Sequence, residues 1–457
     1  MLGTKLVANL IHIMDILLKA AQLILALAIL VLVHELGHFL FAKLFRIRVE
    51  KFYLFFNAGF SLFKYKPKNS DTTYGIGWLP LGGYCKIAGM IDESMDKEAM
   101  KKEPQPWEFR SKPAWQRFFV LFGGVFFNLI LAIIIYSGVL FTWGEEYIAP
   151  SDTAYGIECS DLAKEIGFRD GDVVLAYDNK TPARFEQMHI ELLRTRPQVI
   201  TVLRNGDTTR FRFDEKFVPM MMKAPPLFYL RAPFIIAAIP DSSVNVLSGL
   251  QAGDRMLAVN GLNTPFRAEV QQAFKDFAGS TVTATVFRQG DTLAFPLILS
   301  PEGLANVHVV VDANGLSPYY QATVKDYNLV SALPGGAQKA YTTVANYVQE
   351  LGLIFTPKTE AYKSVGSFIA IGSIFPSAWD WSAFWGITAF LSIMLAVLNI
   401  LPIPGLDGGH IMFVLYEMVS GRKPHEKFME YAQMVGMCFL ILLMILAFGN
   451  DIFRFLT

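Results

Sequence analysis

The chain has 457 residues, of which 53% are hydrophobic and 14% aromatic, and its formal net charge is zero. This composition is typical of a membrane protein, although parts of the chain read as ordinary soluble sequence. The charge balance gives no indication of a nucleic acid or acidic partner. Cys85, Cys159 and Cys438 lie far apart and form no C-x-x-C pair, so they predict neither a disulfide framework nor a redox motif.

The first apolar segment covers residues 21–44 and is long enough to cross a bilayer core, which takes about 20 residues. Its second half carries His34, Glu35 and His38, and ionisable residues inside a span indicate a functional site. On a helix His34 and His38 project from one face, with Glu35 beside them. This H-E-x-x-H pattern is typical of zinc hydrolases, in which the glutamate acts on water rather than binding the metal. The alternative, two histidines bonded to neighbouring carbonyls, is the poorer interpretation inside lipid.

The charges after this segment predict its orientation. Arg46, Arg48 and Lys51 begin a series of cations that continues to Arg117. The positive-inside rule places this connection in the cytoplasm, so the metal lies near the cytoplasmic face and the amino terminus lies outside. The first nineteen residues either extend the span or lie at the interface. They are not a cleavable signal, because the first apolar run is too long and carries the metal motif.

A glycine-rich stretch, residues 72–84, lies in the cytoplasmic connection. Gly75 and Gly77 alternate with apolar residues, and Pro80 excludes a helix. A hairpin that re-enters the membrane fits this pattern, because such backbone is tolerated there where protein or water satisfies its polar groups. Its exposed edge would pair with another extended segment. A plain glycine-rich surface loop is the alternative.

The second predicted span covers residues 114–141 and follows a cytosolic surface segment at residues 92–107. It carries Gly123 and Gly124, and small residues let helices approach closely in membranes. Asn128, one turn further on, either faces the active site or bonds a neighbouring helix, and the sequence favours neither.

Residues 144 to about 330 are soluble in character and repeat internally. The segment IGFRDGD, with Gly167 and Asp172, recurs 82 residues later as SGLQAGD, with Gly249 and Asp254. Each copy resembles a PDZ domain, a fold that captures extended peptides by strand addition. Two copies outside the membrane predict a gate or sieve. The alternative is a pair of spacers with closed grooves.

Two segments precede the third span. Residues 337–355 predict an apolar-periodic helix at the outer interface, and residues 364–375 are too short to span, so they predict a second interfacial or re-entrant piece. Trp379, Trp381 and Trp385 indicate an interface belt at the start of the third span, residues 383–400.

The third span leads directly into a helix break. Pro402 and Pro404 cannot both lie in a continuous helix, so Asp407 precedes a restarted helix at membrane depth. An aspartate in a D-G-G turn is usually a local cap, but a metal that holds two histidines needs a third ligand, and a carboxylate suits it. Asn399 and the carbonyls freed by the prolines either bind a substrate backbone or only repair the helix. Residues 431–456 are the fourth span.

HELGH, the G-x-G stretch, two PDZ-like repeats and N-x-x-P-x-P-x-L-D-G-G follow one another across nearly the whole chain. In this combination the sequence resembles the bacterial site-2 proteases, and among them the RseP type with tandem periplasmic PDZ domains. The resemblance implies a zinc metalloprotease that cuts membrane segments, such as a trimmed anti-sigma factor or a remnant signal peptide. It implies His34, His38 and Asp407 as ligands of one Zn²⁺, and Glu35 as the general base. The substrate-binding residues predicted from the resemblance and the broken helix are Asn399, Pro402, Pro404, Gly75 and Gly77.

The predicted fold is an α-helical polytopic membrane protein with about four transmembrane helices and a re-entrant β-hairpin, carrying two inserted PDZ-like α+β domains. The predicted divisions are 1–143 and 383–457 for the two halves of the membrane core, 144–226 and 227–315 for the repeats, and 316–382 for the interfacial segment. We expect a bacterial inner-membrane location, with periplasmic repeats and a site toward the cytoplasm. The expected partners are substrate transmembrane segments, the lipid bilayer, and a peptide or substrate outer domain at the repeats, but no nucleic acid.

Two other functions fit parts of the sequence. A catalytically silent envelope scaffold would bind protein C-termini through the repeats, but it has no need of an intact HELGH and Asp407. A membrane zinc hydrolase acting on lipid is disfavoured by the paired peptide-binding domains.

Overall fold

A computed structural model of the chain describes residues 2–80, 82–90, 103–310, 320, 322–356, 359–361 and 366–456. The chain forms two compact units. One comprises Met1–Gly144, Asp326–Thr356 and Ala361–Thr457, and the other comprises Glu145–Lys325 with Pro357–Glu360. Most of the surface segment predicted at residues 92–107 lies outside the described residues.

The first unit begins with one long helix, α1 (Leu2–Leu44). Its segment His12–Leu44 is long and apolar enough to cross a membrane. The amino-terminal residues therefore continue the helix of the first span, which is one of the two alternatives that the sequence leaves open.

A four-stranded sheet follows, built from β1 (Val49–Leu54), β2 (Phe56–Tyr65), β3 (Thr73–Leu79) and β4 (Tyr84–Ile87) in the order β2-β3-β1-β4. β3 pairs antiparallel with β2 and parallel with β1, and β4 pairs antiparallel with β1. A hairpin confined to residues 72–84 is therefore wrong, because β1 separates β3 from β4.

The glycines of β3 serve packing inside this sheet. A side chain at Gly75 would collide with the ring of Tyr53, and one at Gly77 would collide with the backbone of Phe56. Since β3 has a strand on each side, neither glycine lies at a free edge.

Helix α2 (Ala114–Trp143) crosses α1 at glycines. A Cβ at Gly37 would collide with the backbone oxygen of Gly123, so only glycine allows this approach. The packing role predicted for the small residues of the second span is confirmed.

The second unit contains two repeats. The first repeat is built from β5 (Glu145–Tyr147), β6 (Ile157–Cys159), α3 (Asp161–Ile166), β7 (Val173–Tyr177), α4 (Met188–Thr195), β8 (Val199–Arg204), β9 (Asp207–Arg212), α5 (Val218–Met221) and β10 (Phe228–Leu230). The second is built from β11 (Ile236–Ala238), β12 (Arg255–Val259), β13 (Leu262–Asn263), α6 (Arg267–Asp276), β14 (Thr281–Arg288), β15 (Asp291–Ile298) and β16 (His308–Val309), and β17 (Thr323–Lys325) then pairs with β5. Each repeat has its own hydrophobic core.

The same buried ion pair occurs in both repeats. Asp172 is fully buried and bonds Arg204, with Nε 2.8 Å from Oδ1, and Asp254 is fully buried and bonds Arg288, with Nε 2.6 Å from Oδ1. The internal repetition in sequence is thus matched by equivalent contacts in the fold.

The first unit resumes with α7 (Leu329–Ile354), α8 (Phe368–Ser373), α9 (Trp381–Ile400), α10 (Asp407–Ser420) and α11 (Glu426–Leu456). α7 begins eight residues before the predicted position 337, because the Asn328 side chain accepts the backbone N–H groups of Val330 and Ser331. Pro334 lies inside α7, and the helix continues past it to Ile354.

Helix α2 is the centre of the first unit and packs against α1, α7, α9 and α10. Near its start Arg117 pairs with Glu417 of α10. Among the described residues, four helices have the length and composition of membrane spans: those containing His12–Leu44, Ala114–Trp143, Trp381–Ile400 and Lys427–Ile452. This confirms the predicted number of spans.

The predicted helix break is also found. α9 ends at Ile400 and α10 begins at Asp407, with Pro402 and Pro404 in the turn between them. α11 packs on this turn at Gly436, where any side chain would collide with the carbonyl of Pro404.

Candidate active site

A cavity of about 490 Å³ lies in the first unit between the helices and the sheet. It is lined by His34, Glu35 and His38 of α1, the whole of β4, the turn before α10 with Asp407, and two carboxamides, Asn399 and Gln433. Residues that are distant in the sequence therefore meet at one place.

Three ligand atoms converge in this cavity. Asp407 Oδ2 lies 3.1 Å from His34 Nε2 and 3.4 Å from His38 Nε2, and the two Nε2 atoms are 3.2 Å apart. A tetrahedral zinc ion with bonds of 2.0–2.1 Å holds its ligand atoms about 3.3 Å apart. Apart from the imidazoles, Asp407 Oδ2 is buried without a hydrogen-bond partner in the described part of the chain. The geometry and this unsatisfied oxygen both fit a zinc ion.

The imidazoles are held from behind by α2. His38 Nδ1 lies 2.8 Å from the carbonyl oxygen of Val120, to which it donates, so its Nε2 lone pair is directed into the site. Asn128 is fully buried, and its Nδ2 lies 3.2 Å from His34 Nδ1. A His34 that binds metal through Nε2 carries its proton on Nδ1 and donates from it. The Asn128 amide must then turn its Oδ1 toward His34, and this oxygen has no other partner among the described residues. Asn128 thus faces the site, the first of the two alternatives.

Gly124 completes this support. A Cβ there would lie 2.5 Å from His34 Cε1 and 2.6 Å from His38 Nε2. The absence of a side chain is what allows both imidazoles to rest directly against α2.

Glu35 adjoins His34 in the sequence but is not part of this possible metal-binding cluster. Among the described residues the metal-type cluster consists of His34, His38 and Asp407 alone. Cys85 of β4 lines the same cavity as Glu35. Burial raises the pKa of the Cys85 thiol well above its usual range. A carboxylate at this position can exchange a proton with a molecule bound at the three ligands.

Of the other predicted site residues, some line the cavity and others do not. Asn399 lines the cavity at the last turn of α9. Pro402 and Pro404 instead line an apolar groove against α11, and the Pro404 carbonyl faces Gly436. Gly75 and Gly77 do not line the cavity and lie inside the sheet.

Sequence reasoning missed two parts of the site. β4 forms one wall, although its four residues carry no motif, and Gln433 reaches the cavity from the fourth span. A polar residue in an apolar helix was the available signal for Gln433.

The chain is similar to known proteins over nearly its whole length. The profile of Peptidase family M50 matches residues 22–443. A Yersinia pestis protein named Protease RseP is 28% identical, over 96% of this chain and 100% of its own. The Regulator of sigma-E protease RseP of Escherichia coli strain K12 is 27% identical, over 95% and 98%. A Borreliella burgdorferi protein whose name provisionally describes it as a zinc metalloprotease is 26% identical, over 94% and 97%.

The matched region extends from α1 to α11 and includes every residue of the cavity. Together with the four apolar helices, it indicates a bacterial inner-membrane protein whose substrates are membrane proteins. The chain belongs to Peptidase family M50 and is an intramembrane zinc metalloprotease of the site-2 type.

Proposed function

We propose that His34, His38 and Asp407 hold the zinc ion of this protease and that Glu35 is its general base. The observation that carries the proposal is the convergence of three ligand atoms beside a carboxylate outside the set. When bound, zinc polarises the scissile carbonyl and makes a water more acidic. Glu35 accepts the proton of that water and donates it to the leaving nitrogen.

The substrate enters this site as an extended strand, because a helix shields its own peptide bonds. β4 has β1 on one side and, within the described ranges, no strand on the other. Pairing with β4 would replace the lost helical hydrogen bonds, and an unsatisfied backbone group in lipid costs several kcal/mol. β3, with Gly75 and Gly77, supports β4 through β1 and does not itself meet the substrate.

The β2–β3 pair is the element that re-enters the membrane. Its exposed side chains include Phe60, Leu62, Phe63 and Trp78, and Phe60 stacks on Trp78 with centroids 5.7 Å apart. An apolar surface of this kind on a polytopic protein favours contact with lipid. The cations of the connection favour entry of this element from the cytoplasmic side.

The two repeats are PDZ-like domains on the opposite, periplasmic side, and they act as a sieve that excludes substrates with bulky outer domains. The competing function is capture of a newly cut C-terminus, which a groove between α6 and β16 of the second repeat would allow. Deletion of residues 155–311 separates the two. A sieve predicts that untrimmed substrate is then cut, whereas a receptor predicts slow cleavage of trimmed substrate and none of untrimmed.

The substrate class is single-span membrane proteins, such as an anti-sigma factor trimmed by another protease, and remnant signal peptides. Two relatives named RseP support it, one of which is named a regulator of sigma-E protease.

Paired variants test the site assignment. Glu35→Gln is expected to keep one zinc per chain and lose cleavage, because the base is not a ligand. Asp407→Asn is expected to lose zinc and cleavage together. Zinc content and cleavage of a transmembrane substrate in detergent are the measurements. Substantial proteolysis by Glu35→Gln, or full zinc in Asp407→Asn, would remove that residue from its role.

A further inference from the structure

We propose that Gln433 binds the substrate backbone: its carboxamide, together with that of Asn399, meets the peptide groups of an unwound substrate on the side that β4 does not serve. The inference rests on the proposed function and adds a residue to it. Gln433 lies in the fourth span, outside every motif of the sequence.

Gln433 is buried inside the protein but open to the catalytic cavity. It is 6% exposed and lines the same cavity as Glu35 and Asp407. Its side chain makes no hydrogen bond with any residue that the structure describes. Its amide atoms are not among the fully buried, unpaired side-chain atoms, so they keep some accessible surface. A carboxamide at membrane depth is costly to leave unpaired, so its partner is a molecule that occupies the cavity.

Gln22 shows what a glutamine in these helices does when its role is structural. It is fully buried in α1, and its Nε2 donates to the carbonyl oxygens of Pro376, at 2.9 Å, and Leu18, at 3.3 Å. Within the described ranges, no carbonyl accepts a hydrogen bond from Gln433. The difference separates a helix-packing amide from one that is directed at a binding site.

The position of Gln433 is fixed by the packing of α11. Gly436, one turn further along the same face, rests against the Pro404 carbonyl. This contact sets the rotation of α11 and presents Gln433 to the cavity. Asn399 reaches the cavity from α9 and likewise makes no side-chain hydrogen bond among the described residues.

The chemistry of the two amides defines what they bind. An extended segment that pairs with β4 directs half of its N–H and C=O groups to that strand and the other half away from it. Carboxamides supply a donor and an acceptor without charge, which matches peptide groups better than any ionised side chain. The ligand is therefore the backbone of an unwound, uncharged membrane segment rather than a particular side chain.

Kinetics of matched variants tests the proposal. Gln433→Met keeps length and removes the hydrogen bonds, and Gln349→Met makes the same change on an exposed part of α7 outside the cavity. With a transmembrane substrate in detergent, Gln433→Met is expected to raise KM about tenfold with little change in kcat, the effect of one lost hydrogen bond made in the ground state. Gln349→Met and the zinc content of both are expected to match the unmodified protein. An unchanged KM in Gln433→Met would overturn the inference.

Altered substrates show whether the backbone is what is bound. Esters replace single amides along the substrate, each removing one N–H group. One replacement is expected to weaken binding to the unmodified enzyme about tenfold but to have no further effect in Gln433→Met. Additive effects at every position would contradict backbone binding.

Photocrosslinking provides a result that does not depend on the activity of a variant. A photocrosslinking residue in place of Gln433, in the Glu35→Gln background, is expected to trap bound substrate, whereas one in place of the half-exposed Met434 is not. Equal trapping at both positions would overturn the inference. If the unmodified protein cleaves no membrane segment at all, the proposed function itself fails. That result is distinct from an unchanged KM or equal trapping, which overturn only the role of Gln433.

Discussion

Gly124→Ala tests how closely the metal site depends on the contact between α1 and α2. The new methyl group would lie 2.5 Å from His34 Cε1 and 2.6 Å from His38 Nε2, whereas carbon atoms at rest lie about 3.5 Å or more apart. One or both imidazoles must therefore move by about 1 Å. Metal–ligand distances tolerate only about 0.2 Å, so the three ligand atoms can no longer meet one ion.

We expect Gly124→Ala to lower zinc affinity at least about 100-fold and cleavage by a similar factor. Zinc affinity is measured by competition with a chromophoric chelator, and cleavage with a transmembrane substrate in detergent. Gly138→Ala is the matched control, because it lies on the same helix with nothing within 4 Å of its Cβ position. Each variant also gains about 0.5–1 kcal/mol of helix stability. Equal zinc affinity in the two variants would refute the tight placement of the imidazoles.

Three further predictions follow from single contacts. Asn128→Leu should weaken zinc binding about 10- to 100-fold, while Asn128→Asp, which still accepts a hydrogen bond from the His34 Nδ1–H group, should retain most of it; equal affinities in a chelator competition would exclude the hydrogen bond. Arg204→Met leaves the buried Asp172 carboxylate unpaired and should destabilise the first repeat by about 3–5 kcal/mol, seen as faster hydrogen exchange in β7–β9 with zinc content unchanged. Burial lowers the pKa of His189, so its folded pKa lies below the unfolded value. The stability it contributes is present above about pH 6.5 and is lost as pH falls through the folded pKa. The protection of α4 against hydrogen exchange, taken relative to the intrinsic rate at each pH, should therefore fall in mild acid, and an identical pH profile of protection in His189→Gln would contradict this.

The parts of the site that the sequence predicts are those held by local geometry. His34, Glu35 and His38 share one helix, so their mutual placement follows from the helical repeat. Pro402 and Pro404 end a helix wherever they occur, so the restart at Asp407 also follows from local rules. The prediction that Asp407 meets the histidines depends on their shared membrane depth and on the need for a third ligand.

The parts that the sequence does not predict depend on contacts between distant segments. Gly75 and Gly77 indicate extended backbone correctly, but strand order is set by pairing partners that a local pattern does not contain. Among the described strands β4 lies at one edge of the sheet, and its neighbour is β1 rather than β3.

Gln433 illustrates the same limit in a helix. Its residue type is visible in the sequence, but its direction depends on the contact of Gly436 with Pro404, more than thirty residues earlier. The sequence leaves the role of Asn128 open for the same reason, since the crossing of α1 and α2 brings it to His34.

X-ray absorption at the zinc edge of the purified protein tests the central claim most directly. The ligand set of His34, His38 and Asp407 predicts two imidazole nitrogens and oxygen at about 2.0–2.1 Å, with imidazole signals beyond them and no sulfur. Cys85 lines the same cavity, so the measurement discriminates between real alternatives. A sulfur at about 2.3 Å, or fewer than two imidazoles, would contradict the site described here.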